Sequence, residues 1–392
     1  MMAGVSTPLT DRLLRRIERT GPITFADFMS AALYDPHDGF YERGGEAGEK
    51  GAVGARGDFV TAPHVSPVFG KLLARQVQDF DAALGEPAPF TVVEAGAGDG
   101  TLAEQVETGL GGGLRARVEF VLAERTERHR SLIEKRRTGA TTRVVRDLTE
   151  LAPGSVDGCI LGNELLDNLP FNLVRGTEGG LVELYVGAGT GGARLALVEG
   201  PVSSADVERL SPALPPGGDA AVPTGAVAFV EAAAGVLRRG YVLLVDYAAP
   251  AVRPDGGAAV HGYRGHGVVG DLLADPGSSD VTAGVDMGVL ASCARELGLH
   301  VWGPVAQRDA LAALGFAEEL EALRREQVAH LDRGRGREAV RAYSARGAAG
   351  LLVERGGLGD FAVLCLGKGV DDTPPRCMTK PMNRPREEGQ AT

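Results

Sequence analysis

The sequence predicts an α/β chain built on a doubly wound, mainly parallel sheet, with a helical segment before it and insertions within it. Three observations carry this reading. Short apolar strands alternate with helical stretches, one strand runs straight into a glycine-rich turn, and the segments that break the alternation read as loops.

Taken in chain order, the first helix is amphipathic on Leu13, Leu14 and Ile17, and Arg12, Arg15, Arg16 and Arg19 interleave with Asp11 and Glu18 rather than forming a presequence. Thr24 with Asp27 has the form of a capping box and opens a second helix through Phe25, Phe28, Met29 and Leu33. Residues 35 to 64 are glycine-rich with mixed charge and read as a long loop, after which Val68 to Phe80 is helical again. Strands follow at FTVVEA (90), VEFVLAE (118), VVR (144), SVDGCIL (155), GYVLLVDYA (240) and FAVLCLG (361). Residues 181 to 222 read as a hairpin, LVELYV then ARLALV, leading into a Pro/Gly/Ala-rich linker, and residues 250 to 285 as a Gly/Asp-rich insertion. Helices are expected at about 286 to 297 and 309 to 331. The division is therefore an N-terminal segment over 1–85, a sheet domain over 86–369 and a disordered tail over 370–392.

Composition narrows the function classes. A net charge of -11 lacks the surplus of Lys and Arg that a nucleic-acid footprint needs, and no apolar run approaches the roughly 20 residues of a spanning helix. The four cysteines are scattered without a CxxC pair, which indicates neither a disulfide framework nor a zinc knuckle, and no other spacing makes a metal site. A reducing, cytoplasmic setting is the simplest reading.

The most informative segment is EAGAGDG, Glu94 to Gly100. A strand that turns through Gly96, Gly98 and Gly100 into a helix lets the backbone approach a ligand at the carboxyl edge of a sheet. A dinucleotide fingerprint would need glycine where this chain has Thr101. The pattern suits S-adenosylmethionine instead, a nucleoside whose methionine part carries no phosphate, with Glu124 at the end of the next strand placed to accept both ribose hydroxyls. Asp147, past the third strand, is a candidate for an adenine amino group, against a plain N-cap role for the helix starting at Leu148.

The flanks of that loop resemble a known family. ITFADFMSAALYDPHDGFY (23), GDFVTAPHVSPVFG (57), VVEAGAGDGTLA (92), GNELLDNLPF (162) and GYRGHGVVGDLLADPGSSDVTAGVDM (262) are similar, in order and character, to the MidA family of S-adenosylmethionine-dependent methyltransferases. That family is related to the mitochondrial complex I assembly-factor arginine methyltransferase. The resemblance spans about residues 20 to 370 and implies a Rossmann-like class I methyltransferase sheet, with Asp58 and Thr61 closing over the cofactor and Asn163 beside it. It also implies a protein arginine side chain as acceptor and, for a eukaryotic source, a mitochondrial location. The chain departs from the family at Ala95, at His64 where an acid is usual, and at Leu165 and Leu166 where aromatics are usual.

On the substrate side, methyl transfer from a sulfonium is an in-line displacement, and carboxylates are the natural fork to orient a guanidinium. Glu164 and Asp167 follow the fourth strand three residues apart, so a helical turn would place both on one face; capping by Asn163 with Glu164 in a first turn is the local alternative. His64 is a candidate general base, against ordinary loop hydrogen bonding. Asp246 and Tyr247 end the fifth strand, and His261, Tyr263, Arg264, His266 and Asp280 are candidates for a lid. Two other functions compete: a small-molecule O- or N-methyltransferase, and an assembly factor that binds S-adenosylmethionine without turnover.

Overall fold

In the computed structural model, described over residues 7–43, 61–137, 142–190, 192–249, 259–264 and 267–379, the apolar runs become one seven-stranded mixed sheet. We label its strands β1 (Phe90–Ala95), β2 (Val118–Ala123), β3 (Thr142–Val145), β4 (Val156–Asn163), β5 (Leu237–Asp246), β6 (His300–Ala306) and β7 (Ala362–Lys368). Their spatial order is β6-β7-β5-β4-β1-β2-β3, with β7 antiparallel to both neighbours and the rest parallel.

These strands are continuous apolar runs because both faces of the sheet are covered. Val92, Phe120, Leu122, Cys159, Leu161, Leu243 and Cys365 face one core, which the helices Val68–Ala83 and Thr101–Gly109 complete. The alternate residues Val93, Val121, Ile160, Val242, Leu244 and Leu364 face a second core under the helices Thr224–Val236 and Met287–Glu296. The period of two along each strand thus assigns every side chain to one layer. The helix Val68–Ala83 is part of this double layer, so the covering of the sheet begins before residue 86.

From β1 the chain winds to β2 and β3 on one side and then crosses to β4 on the other. The switch point between β1 and β4 opens a crevice at the carboxyl ends of both strands, where ligands of this architecture sit.

A third core joins the helices Pro8–Thr20 and Phe25–Tyr34 to a smaller antiparallel sheet. Thr24 caps the second helix by accepting from the Asp27 N–H at 3.1 Å, as the capping pattern predicts. The ring of Phe25 stacks on Phe171 at 5.4 Å. The expected hairpin is Gly180–Ala188 paired with Leu195–Gly200, but the segment after it is not a plain linker. It holds the helix Ala205–Leu210 and the strand Asp219–Val222, which pairs with Asn172–Thr177.

Other differences have local causes. Strand β6 escapes pattern reading because Gly303 and Pro304 interrupt it, and its register shifts between Trp302 and Val305. The helix expected over 309 to 331 is two, Gln307–Ala313 and Phe316–Asp332, divided at Gly315 with φ +96. A further helix, Gly336–Leu351, packs beside the second of these. Within residues 250 to 285 the strands His261–Arg264, Gly267–Val269 and Asp280–Thr282 form a three-stranded sheet. The tail is ordered at its start: Cys377 is buried, and its N–H donates to Gln76 Oε1 at 2.9 Å.

Candidate active site

The strand β1 ends in a loop that only glycine tolerates. Gly96, Gly98 and Gly100 have φ of +69, +55 and +79, and a Cβ on Gly96 would lie 2.9 Å from the Leu165 side chain. Gly96 and Ala97 donate to Ala123 O at 2.9 and 3.2 Å, which pins the loop to the end of β2. Gly98 N–H donates to Glu124 Oε2 at 2.8 Å, and Glu124 Oε1 accepts from the Thr126 N–H at 2.9 Å and hydroxyl at 2.8 Å. Burial opposes ionisation of Glu124, but His129 and the Thr126 donors outweigh it and hold the carboxylate below its ordinary range.

This loop floors a cleft whose lining combines the glycine turn with polar side chains from the ends of β1, β2, β3 and β4. Glu94 lies in its wall, 5% exposed, with Oε2 lacking any hydrogen-bond partner. Burial pushes its carboxyl up to about 8. Asn163 Oδ1, at the end of the neighbouring strand β4, also belongs to the lining and is buried and unpartnered. Two sealed acceptors facing one cleft are orphans that a donor-bearing ligand would satisfy.

Beyond Asn163 the chain turns at Glu164, whose φ of +50 is left-handed. Its carboxylate accepts from the Ala62 N–H at 2.8 Å and from Asn163 Nδ2 at 3.0 Å, and burial raises it to about 7. A short 3-10 turn, Leu166–Asn168, follows. Asp167 accepts from the Thr282 hydroxyl at 2.8 Å with Oδ1 unpartnered, while Asp246 at the end of β5 accepts from the N–H groups of Leu165 and Leu166 at 3.0 and 2.6 Å. Burial raises Asp167 and Asp246, and also Asp280, which is held up to about 7.

Residues 72–305 match a protein family described as "Putative S-adenosyl-L-methionine-dependent methyltransferase". The chain belongs to this methyltransferase family. Over 351 residues it is 28% identical to "Protein arginine methyltransferase NDUFAF7, mitochondrial" of Mus musculus, covering 81% of this chain and 76% of that one. The Caenorhabditis elegans homolog is 27% identical over 340 residues, 79% of this chain and 77% of that one. Among solved structures, a Burkholderia thailandensis protein bound to S-adenosyl-homocysteine superposes with a TM-score of 0.77 at 26% identity, covering 96% and 97% of the two chains. The protein is an S-adenosylmethionine-dependent methyltransferase with a Rossmann-like fold, and the orphaned acceptors at Glu94 and Asn163 are consistent with a cofactor that carries an ammonium and hydroxyls.

The methyltransferase cleft gathers most of the residues singled out from the sequence. Thr61, His64, Glu94, Gly96, Gly98, Glu124, Asp147, Asn163 and Glu164 all line it, and Gly100 shapes the loop from behind. Asp58 and His266 lie outside the described residues. Asp147 does serve as an N-cap, accepting from the Thr149 N–H at 2.9 Å, and it reaches the cleft as well.

Several details differ from expectation. Glu164 and Asp167 do not share a helical face, because the left-handed turn at Glu164 sends its side chain toward Ala62 and leaves Asp167 against Thr282. Asn163 ends β4 and caps no helix. His64 has both ring nitrogens engaged, Nδ1 with Thr61 Oγ1 at 2.9 Å and Nε2 with Asp99 Oδ2 at 3.3 Å, so it ties the Thr61 segment to the glycine loop. Tyr247 is half exposed, and Arg264 pairs with Asp275 at 3.3 Å on the surface.

Sequence reading passed over Tyr34, Tyr41, Arg125, His129 and Asn168, which line the same cleft. The motif YDPHDGFY carried a signal, two tyrosines flanking an Asp-Pro turn. Nothing in its local pattern points to Asn168.

Proposed function

We propose that this methyltransferase acts on an arginine side chain of a protein. One observation carries the reading: Glu164 lines the cleft, and Asp167, Asp246 and Asp280 are grouped with it close enough to feel one another's charge. Among the described residues their hydrogen-bond donors are backbone N–H groups, hydroxyls and amides, without a lysine or arginine partner. Sealed carboxylates without a countercharge favour a cationic guest, and a guanidinium offers a planar set of donors to a carboxylate such as Glu164. The printed names of the relatives, protein arginine methyltransferases, support the same acceptor.

In this reading Glu124 accepts from the ribose, Gly98 leaves room for it, and Glu94 faces the ammonium of the methionine arm. Thr61 and Asp147 complete the walls. When bound, S-adenosylmethionine supplies an electrophilic methyl group on a sulfonium. The work left to the protein is alignment of the acceptor nitrogen, because in-line geometry can contribute several kcal/mol of the barrier. Glu164 orients the guanidinium, with Asp167 and Asp246 packed behind it as carboxyls that burial pushes toward the neutral form and that a cationic guest would draw toward ionisation. No helix among the described residues is long and apolar enough to cross a membrane, and we place the reaction in the cytoplasm, or in mitochondria as the relatives' names have it.

The decisive experiment compares arginine methylation by mass spectrometry in a deletion strain and its parent. A methylarginine site lost on deletion is the expected result. Label from radioactive S-adenosylmethionine that enters only small molecules refutes the acceptor while leaving the methyltransferase intact, and cofactor binding without any turnover points to an assembly role instead.

A further inference from the structure

Two tyrosines at the acceptor end play no part in the account above, and Asp280 enters it only as one carboxyl of the cluster. The motif YDPHDGFY folds as a tight return. The Asp35 carboxylate accepts from the N–H groups of His37 and Asp38 at 3.0 Å each and from Arg12 at 2.7 Å. Phe40 and Tyr41 then send their own N–H groups back to Ala32 O and Leu33 O at 2.9 and 3.1 Å. The return lays the Tyr41 ring on Tyr34, centroids 5.7 Å apart and planes 18° from parallel.

Both hydroxyls converge on one distant residue. Tyr34 donates to Asn168 O at 3.0 Å, and Tyr41 lies 3.0 Å from Asn168 Oδ1 and 3.2 Å from Asp280 Oδ1. Asn168 Nδ2 donates to the same Asp280 oxygen at 3.0 Å, and the Val281 N–H meets it at 3.0 Å. Each contact of the Tyr41 hydroxyl therefore draws its proton toward Asn168 and Asp280. The oxygen keeps a lone pair for a donor in the cleft, which Tyr41 lines.

We propose that Tyr41 is a catalytic residue whose hydroxyl oxygen accepts an N–H of the methyl acceptor, with Asn168 and Asp280 as positioning residues that aim its proton away from the cleft. This rests on the assignment of that end of the cleft to the acceptor. As the new N–C bond forms, the C–S bond breaks with its electron pair left on sulfur, and the nitrogen must shed one proton. That proton passes to the Tyr41 oxygen while the Tyr41 proton moves to Asp280, whose carboxyl later returns it to water. Charge balances, since a guanidinium that gains a methyl cation and loses a proton keeps its single positive charge. Burial holds Asp280 up at about 7, so it takes and releases a proton near neutrality, and burial keeps the Tyr41 phenol un-ionised.

The test uses the full chain, tritiated S-adenosylmethionine and lysate of a deletion strain as acceptor, with S-adenosylhomocysteine affinity measured by calorimetry on the same preparations. Tyr41→Phe keeps the stacked ring and removes one oxygen; it should lower kcat at saturating lysate by about 100-fold while changing S-adenosylhomocysteine affinity less than about twofold. Asp280→Asn should lose roughly 10-fold in kcat, and Asp280→Glu, which restores a carboxyl, should regain part of that loss. A Tyr41→Phe enzyme with wild-type kcat overturns the proposal, whatever its KM, as does an Asp280→Glu no better than Asp280→Asn. Acid hydrolysis of the labelled protein tests the arginine reading separately. Label on another amino acid removes that reading, and methylarginine formed at full rate by Tyr41→Phe removes only the role of Tyr41.

Discussion

Replacing Glu94 with glutamine isolates one buried charge whose cost can be worked out. The carboxyl lies 5% exposed with Oε2 unpartnered, and burial carries it from an ordinary 4.5 up to about 8. Its folded-state pKa is raised, so the folded protein keeps a proton that the unfolded chain releases above about 4.5. The resulting stability is fully present below that pH and is lost as the pH climbs through 8. At 1.36 kcal/mol per pH unit, the loss between pH 5.5 and 8.5 amounts to roughly 3 kcal/mol in the ligand-free protein. Glu94→Gln cannot ionise and should not show it. Urea unfolding of both proteins at the two pH values measures this directly, since other titrating groups cancel in the comparison. The gap between mutant and wild type should move by roughly 3 kcal/mol in the mutant's favour on going to the higher pH. S-adenosylhomocysteine, through its ammonium, should bind wild type more tightly at pH 8.5 than at 6 and lose that pH dependence in Glu94→Gln. Parallel stability curves for the two proteins would refute the reasoning and mean that Glu94 is already ionised at neutrality.

Four further predictions follow from the geometry. Gly98→Val forces a β-branched residue to φ +55 at the floor of the cleft and should weaken S-adenosylhomocysteine binding by more than about 10-fold in calorimetry. Glu124→Ala, which also frees the Gly98 N–H, should cost about 10- to 100-fold in the same measurement. Glu164→Gln should lower methyl transfer to lysate protein about 10-fold or more with cofactor affinity little changed, and full retention of transfer in both Glu164→Gln and Asp167→Asn would remove the carboxylate assignment. Gly158→Ala places a Cβ 2.0 Å from Thr91 O between β4 and β1; a loss of about 4 kcal/mol or more in urea unfolding is expected, and a loss below about 1 kcal/mol would contradict the closeness of the strands.

What the sequence made legible follows the range of the physics involved. The strands β1, β2, β4, β5 and β7 announce themselves because two-sided burial demands an unbroken apolar run, and the glycine loop because three left-handed residues in seven admit little else. Thr24 capping toward Asp27 is equally local. Strand β6 is hidden by Gly303 and Pro304, whose effect depends on an edge partner that lies some 60 residues along the chain. The acceptor end is harder still. Spacing put Glu164 and Asp167 on one helical face, yet a left-handed residue is not visible in the letters Asn-Glu-Leu-Leu-Asp, and it is this turn that aims Glu164 at Ala62. Tyr41, Asn168 and Asp280 meet through hydrogen bonds spanning 127 and 239 positions, each residue unremarkable in its own segment. The cofactor side of such a site is written in local backbone constraint, whereas the acceptor side is assembled from long-range contacts between an N-terminal turn, the end of β4 and a late insertion. The same division places the chemistry that distinguishes one methyltransferase from another in the part of the chain where local patterns say least.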